Sequence, residues 1–284
     1  MKKKVSIFTI LNYVFFSIIG LIMLYPFWYV LMFSLSDPAK SNIGGLYLIP
    51  NGFTLDTYKY AFGKDILFSG FFNSVFITVV GTFINMVLSV LLAYPLSRET
   101  LPGKKYFMMF VIFPMLFSGG MIPTYLVVKG FGLLDSVWSL IISMALNVYN
   151  LLILNKFFKG IPESLIEAAR IDGCGDFRTL VSIVLPLSKA ALATVALFYA
   201  VGHWNEFLYG TIYINSEEHW PLQVVLRNII DMVSTDLNGS EQAFLNPENF
   251  KMATIIITVA PIICVYPFLQ KYFTQGVMLG SVKG

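Results

Sequence analysis

Charged residues are absent from six stretches of the chain, at 5–36, 66–97, 106–128, 136–155, 190–205 and 252–270. A helix needs about 20 apolar residues to cross the hydrocarbon, and an ionised side chain at mid-bilayer costs about 3 kcal/mol on insertion scales. Each stretch therefore predicts one membrane-spanning helix. The fifth is the shortest and is expected to extend to Leu187 and Tyr209, which places Lys189 and Glu206 near the two interfaces. Lys2, Lys3 and Lys4 look like the start of a signal peptide, but the apolar run behind them is too long, so it reads as an uncleaved first span. Pro26, Pro95, Pro114, Pro123, Pro261 and Pro267 lie in or beside spans, where kinks are tolerated when neighbours satisfy the freed carbonyls.

Three connections are longer than turns: 37–65, 156–186 and 210–250. Basic residues orient them, because cytoplasmic loops retain Lys and Arg. With the N-terminus inside, the inner segments hold Lys2, Lys3, Lys4, Arg98, Lys104, Lys105, Lys156, Lys159, Arg170, Arg178, Lys189, Lys271 and Lys283, most of the 19. Both termini are thus expected in the cytoplasm. The outer segment 210–250 carries Glu217, Glu218, Asp236, Asn238-Gly239 and Asn246-Pro247, a polar, turn-rich excursion. The chain divides into 1–65 (first span and outer segment), 66–275 (a core of five helices) and a tail, 276–284.

Composition agrees with a bilayer: 57% of residues are apolar and only 12% charged, against about 25% charged in a soluble domain. A mean hydropathy of +0.74 excludes both a water-soluble enzyme and a disordered chain. Net charge is +3 with basic residues scattered, so no nucleic-acid footprint is present. Cys174 and Cys264 indicate neither a disulfide framework nor a metal knot. His203 and Glu206 stand three apart, but a catalytic zinc needs three protein ligands and His219 lies in the outer segment. No nucleophile motif marks an intramembrane enzyme.

The inner connection holds Gly160-Ile-Pro-Glu-Ser-Leu-Ile-Glu-Ala-Ala-Arg-Ile-Asp-Gly173. Pro162 suits the first helical position, Glu163 the amino-terminal dipole and Gly173 a left-handed stop. Pro162, Leu165, Ile166 and Ala169 give one apolar face. Asp176 then caps a second helix expected over 177–184, ending at Leu185-Pro186. Composition alone favours reading the first helix as an amphipathic element on the inner leaflet.

The spacing adds more. Glu167-Ala168-Ala169, then Gly173, then Ile183-x-Leu185-Pro186 resembles the EAA loop of the membrane subunits of binding-protein-dependent ABC importers. Gly202-His-Trp-Asn-Glu-Phe207 and the ending Gln270-Lys-Tyr-Phe-Thr-Gln-Gly276-Val-Met-Leu-Gly280-Ser-Val-Lys283-Gly284 are similar to their carbohydrate, maltose-type branch. Ser118-Gly-Gly-Met-Ile-Pro-Thr-Tyr125 resembles the subset described as lipoprotein or polygalacturonan-type permeases. The resemblance implies an all-α, six-span type I importer fold in a bacterial plasma membrane. It further implies a coupling helix that docks on an ATPase through Glu167, Ala168, Ala169, Arg170, Asp172, Gly173 and Pro186. The implied partners are a homologous second permease, two ATPase subunits that hold ATP and Mg, and an extracytoplasmic solute-binding lipoprotein. No Gly-x-x-x-x-Gly-Lys-Ser/Thr loop occurs, so this chain is expected to bind no nucleotide or other cofactor.

For the solute, expected to be an oligosaccharide, Trp204 offers a stacking face and Asn205 and Glu206 offer hydroxyl partners. The alternative makes Trp204 an interfacial anchor and Glu206 a water-facing group. Asn85 and Ser89, and Asn147 and Asn150, pair on helix faces and read either as cavity lining or as interhelical hydrogen bonding. An amino-acid or polyamine importer would show a charge-lined cavity, and an ion-coupled transporter would place ionisable residues at span centres. The spans show neither.

Overall fold

The computed structural model describes residues 7–42, 44–235 and 246–281, without the side chains of 232–235 and 266–281. Lys2, Lys3, Lys4, Asp236, Asn238-Gly239, Lys283 and Gly284 lie outside the described residues, as do the side chains of Pro267 and of the carboxy-terminal motif. Among the described residues all regular structure is helical, apart from an isolated bridge between Ser36 and Phe53. The elements are α1 (Ile7–Ser34), α2 (Asp56–Phe62), α3 (Asp65–Ser97), α4 (Lys104–Leu116), α5 (Met121–Gly130), α6 (Val137–Ser143) and α7 (Val148–Lys159). There follow α8 (Glu163–Ile171), α9 (Asp176–Thr179), a π-helical turn (Leu180–Val184), α10 (Leu185–Leu187) and α11 (Lys189–Trp204). Last come α12 (Leu208–Tyr213), a 3-10 turn (Glu217–His219), α13 (Leu222–Thr235) and α14 (Pro247–Ser281).

Three spans form as continuous helices: α1, α3 and the Pro247–Val265 part of α14 are each long and apolar enough to cross a bilayer. The other three expected spans are broken. Residues 106–128 divide into α4 and α5, bent by 113°; 136–155 into α6 and α7, bent by 48°; and α11 turns by 86° from Asp176–Leu187. With each bent pair counted as one, the described chain has up to six spans. At the first break Gly120 takes φ +85, a backbone state that costs glycine little. Pro123 then falls in the first turn of α5, where its missing N–H is not needed. At the second break the Asn147 Oδ1 accepts from the Asn150 N–H (3.1 Å) and caps α7. Span five does not reach Tyr209: α11 stops at Trp204, and α12 begins after a turn.

Two further expectations change. The described part of 210–250 is mostly helical, because Leu222, Val224, Val225 and Ile229 give α13 a buried face. The second inner helix starts with Asp176 in its first turn, not as its cap, and runs past Pro186 to Leu187. A proline ring displaces the carbonyl four residues back, and the wider π turn at Leu180–Val184 lets the helix pass it.

The chain packs as two compact units, residues 1–67 with 226–260, and residues 68–225 with 261–284. In the first, Phe33 and Tyr47 pack with ring centroids 4.9 Å apart. The amide of buried Asn249 donates to the Phe33 and Ser36 carbonyls (both 2.9 Å) at the end of α1, where the Phe33 carbonyl also accepts from the Ser36 N–H (3.1 Å). In the second unit, one core joins α3, α7, α8 and α11 through Tyr94, Leu154, Phe158, Ile166 and Val195. Another joins α3, α5, α6 and α12 through Ile77, Val128, Leu140 and Tyr213.

Candidate functional site

The break between α6 and α7 is where the second unit puts its polar side chains. Irregular backbone at membrane depth persists only where protein or a cavity satisfies its polar groups. Here the Asn85 amide on α3 donates to the Met144 carbonyl (2.8 Å), and the Tyr199 hydroxyl on α11 accepts from the Asn147 N–H (3.1 Å). The two flanking helices also meet side chain to side chain, Asn85 with His203 (3.4 Å) and Ser89 with Tyr199 (2.7 Å). Each pair stands four residues apart on its own helix, so two helical faces interlock.

Around this break lies a cavity of about 240 Å³, lined by Asn85, Ser143, Met144, Leu146, Asn147, Asn150, Phe198, Tyr199, Gly202 and His203. It carries no carboxylate, ammonium or guanidinium. The Nδ1 of His203 is buried and has no hydrogen-bond partner among the described residues, an unmet polar group at the cavity wall.

Of the residues singled out for the solute, Asn85, Asn147 and Asn150 meet at this cavity. The others are placed elsewhere. Ser89 is fully buried and is occupied by Tyr199. Trp204 is only 7% exposed and sits edge-on to Phe71 (6.2 Å), so the interfacial-anchor reading does not hold within this chain. Asn205 and Glu206 follow the end of α11, where Glu206 accepts from the Tyr209 N–H (2.7 Å) and starts α12. His203 and Tyr199 are lining residues that the sequence reading did not select; their signal was a polar pair at i and i+4 in an apolar span. Among the described residues no cluster of His, Cys, Asp and Glu could hold a metal.

The second candidate surface is α8. Its carboxy end is a complete Schellman motif: Cys174 N–H donates to the Ala169 carbonyl (2.8 Å), Gly173 N–H to Arg170 (3.0 Å), and Gly173 takes φ +79. Arg170 lies 3.7 Å from Asp176, across the turn. Ile166 and Ala169 face the core, whereas Glu167, Ala168, Arg170, Asp172 and Gly173 are exposed, along with Ile171 (86%) and Phe177 (72%). Two expectations are corrected. Pro162 caps α8 from outside the helix, and Leu165 is exposed, so the buried face is narrower than the apolar spacing suggested. Pro186 lies in α10, and its place is set by the helical path past the π turn.

Apolar spans, broken helices around an uncharged cavity and a capped helix with an exposed face describe a multi-pass membrane transport subunit. The chain belongs to the family of binding-protein-dependent transport system inner membrane components, which it matches over residues 87–279, and members of that family are transport subunits rather than enzymes. It is 47% identical to the polygalacturonan/rhamnogalacturonan transport system permease protein YtcP of Bacillus subtilis, over 99% of this chain and 100% of that one. Protein LplC of the same organism is 44% identical over 99% of this chain and 97% of its own. A structure described as a bacterial ABC transporter involved in the import of the acidic polysaccharide alginate contains a chain with 33% identity and a TM-score of 0.88. That match covers 96% of this chain and 99% of the other. The chain is therefore a cell-membrane permease subunit that works with a partner permease, an ATPase and a binding protein.

Proposed function

We propose that this subunit imports an oligosaccharide, that its cavity lies on the solute's path, and that α8 couples it to ATP hydrolysis. The observation that carries the reading is the uncharged, hydrogen-bonding lining of Asn85, Asn147, Asn150, Tyr199 and His203. Neutral amides, a phenol and an imidazole suit hydroxyl groups and can donate to a uronate carboxylate, whereas the ammonium groups of amino acids and polyamines call for a carboxylate. A volume of about 240 Å³ is below the roughly 300–1,000 Å³ of a complete small-molecule site, which suits a segment of a longer chain. The printed functions of the relatives, which name polygalacturonan, rhamnogalacturonan and alginate, support the same class.

In this reading both termini face the cytoplasm, and Glu167, Ala168 and Ile171 meet one of two ATPase subunits, which hold ATP and Mg. A homologous second permease completes the channel and an extracytoplasmic lipoprotein delivers the solute. The chain itself holds no cofactor. The test is to reconstitute the copurified complex with its binding protein in proteoliposomes, then to measure ATP hydrolysis and uptake with galacturonan oligomers, arabino-oligosaccharides, amino acids and polyamines. Saccharide-stimulated hydrolysis with matching uptake is expected. Stimulation by amino acids or polyamines alone, or uptake driven by an ion gradient without ATP, overturns the reading.

A further inference from the structure

Beneath α8 lies a guanidinium with more donors than partners. Arg98 follows directly on the end of α3, and its side chain is only 9% exposed. One nitrogen, Nη1, reaches Glu163 Oε2 at 3.4 Å, a long contact to a carboxylate that is itself more than half exposed. The guanidinium carbon stands 4.7 Å from the centre of the Tyr94 ring. Nε and Nη2 are buried with no hydrogen-bond partner among the described residues, and so is the neighbouring Tyr94 hydroxyl. Buried arginine donors are costly when unpaired, and the fork made by Nε and Nη2 fits one carboxylate with two parallel bonds.

A carboxylate is at hand. Asp176 opens the helix after the Gly173 turn, is 78% exposed, and is held only by Arg170 at 3.7 Å. Leu180, one turn further on, packs in the same core as Tyr94 and Ile166. The coupling loop thus offers two carboxylates, Glu163 in the first turn of α8 and Asp176 just after its end.

We infer that Arg98 is a two-position latch between α3 and the coupling loop, holding Glu163 by one nitrogen in this structure and Asp176 by its Nε/Nη2 fork in a second state of the transport cycle. The exchange keeps the guanidinium beneath α8 and brings Asp176 to its free fork through a movement of the segment that carries α8 and the Gly173 turn. Because Arg98 adjoins α3, the movement is carried along α3 to Asn85 at the cavity. Arg98 is a positioning residue and touches neither solute nor ATP. The inference rests on the coupling role proposed for α8.

The test uses the complete reconstituted complex and reads solute carried per ATP hydrolysed. Asp176→Asn and Arg98→Lys, which keeps the charge but loses the fork, are each expected to lower this ratio about tenfold, with the double variant no worse than either single. Glu163→Gln frees Arg98 from its present partner and is expected to raise solute-independent hydrolysis, whereas Asp176→Asn is expected not to raise it, a contrast in the basal rate that simple loss of packing does not produce. The latch is overturned if Asp176→Asn matches the wild type, or if the effects of Asp176→Asn and Arg98→Lys multiply. Should Arg98→Lys fail to assemble, the exposed carboxylates decide alone, and solute-independent hydrolysis that rises with both Glu163→Gln and Asp176→Asn, or with neither, sinks the idea. Glu167→Ala run alongside keeps the two readings apart: a silent Glu167→Ala removes the coupling role of α8 itself, whereas an uncoupled Glu167→Ala beside a silent Asp176→Asn removes only the latch.

Discussion

Gly81 on α3 lies directly against the ring of His203 on α11: a Cβ built on Gly81 would stand 2.5 Å from Nε2 and 2.7 Å from Cε1. Small residues let membrane helices approach closely, and this contact lets His203 reach Asn85 at the cavity. Gly81→Ala is therefore expected to push the imidazole off Asn85, to destabilise the subunit by about 1–3 kcal/mol, and to lower uptake about tenfold if one solute bond is lost. Gly20→Ala on α1, where nothing lies within 4 Å, is the matched control and should be silent in both assays. Thermal unfolding in detergent and proteoliposome uptake check the pair.

This contact also marks what a single sequence does and does not reveal. The continuous spans α1, α3 and α14 were legible because an unbroken charge-free run has one physical solution in a bilayer. The ends of α8 were legible because Pro162, Glu163 and Gly173 are local signals with local causes. The breaks at 117–120 and 144–147 were not, since a break within an apolar run leaves hydropathy unchanged. Its polar backbone is satisfied by Asn85 and Tyr199, whose partners lie 59 and 52 residues away in sequence. Asn85, Asn147 and Asn150, which line the cavity, stood out in the sequence because an amide in hydrocarbon needs a partner. Trp204 was misplaced because the burial of an indole depends on Phe71, a residue no local pattern connects to it.

Asn249 ties the start of α14 to the end of α1, donating to Phe33 and Ser36 carbonyls and to the Ser41 hydroxyl (3.2 Å). Removing the amide takes this donor from the buried Ser36 carbonyl and leaves the Phe33 carbonyl with the Ser36 N–H (3.1 Å). Asn249→Ala is expected to cost about 1–3 kcal/mol. Asn249→Asp, which turns an oxygen on those carbonyls, should be at least as damaging. Unfolding midpoints of the purified subunit measure both, and a wild-type midpoint for Asn249→Asp would show that the contact is not formed.

Asp135 joins the turn before α6 to the segment after α12. Its carboxylate accepts from the Ser216 hydroxyl (2.5 Å), the Ser216 N–H (2.8 Å) and the Asn215 N–H (2.9 Å). These bonds, the Ser216 hydroxyl first, hold its pKa below the usual aspartate value. A carboxyl lowered on folding stabilises the protein above its unfolded pKa, about 3.9, and loses that contribution as pH falls through the folded value. Asp135→Asn tolerates the φ of +58 at this position but lacks the charge. The wild type is therefore expected to be the more stable at pH 7, with the gap closing as pH drops below about 4. Thermal unfolding of both proteins across that range tests it, and a gap independent of pH would contradict the assignment.

Ala168 and Ala169 are adjacent on α8, yet one is exposed and the other buried. Ala169 is 4% exposed in the core beneath α8, while Ala168 is exposed on the surface. In the proposed docking, a close approach to an ATPase therefore depends on Ala168, while the packing of α8 onto its own subunit depends on Ala169. Ala169→Leu is expected to overpack the core beside Ile166, costing about 1–3 kcal/mol of subunit stability. Ala168→Leu should leave the unfolding midpoint unchanged, since leucine is a good helix former and meets only solvent there. It should nevertheless weaken copurification of the ATPase and lower solute-stimulated hydrolysis, because the added side chain stands where the partner must come close. Measuring both properties on both variants separates the two roles. If the two substitutions behaved alike, with stability and ATPase recovery falling together, α8 would act through packing alone and its exposed face would have no docking role.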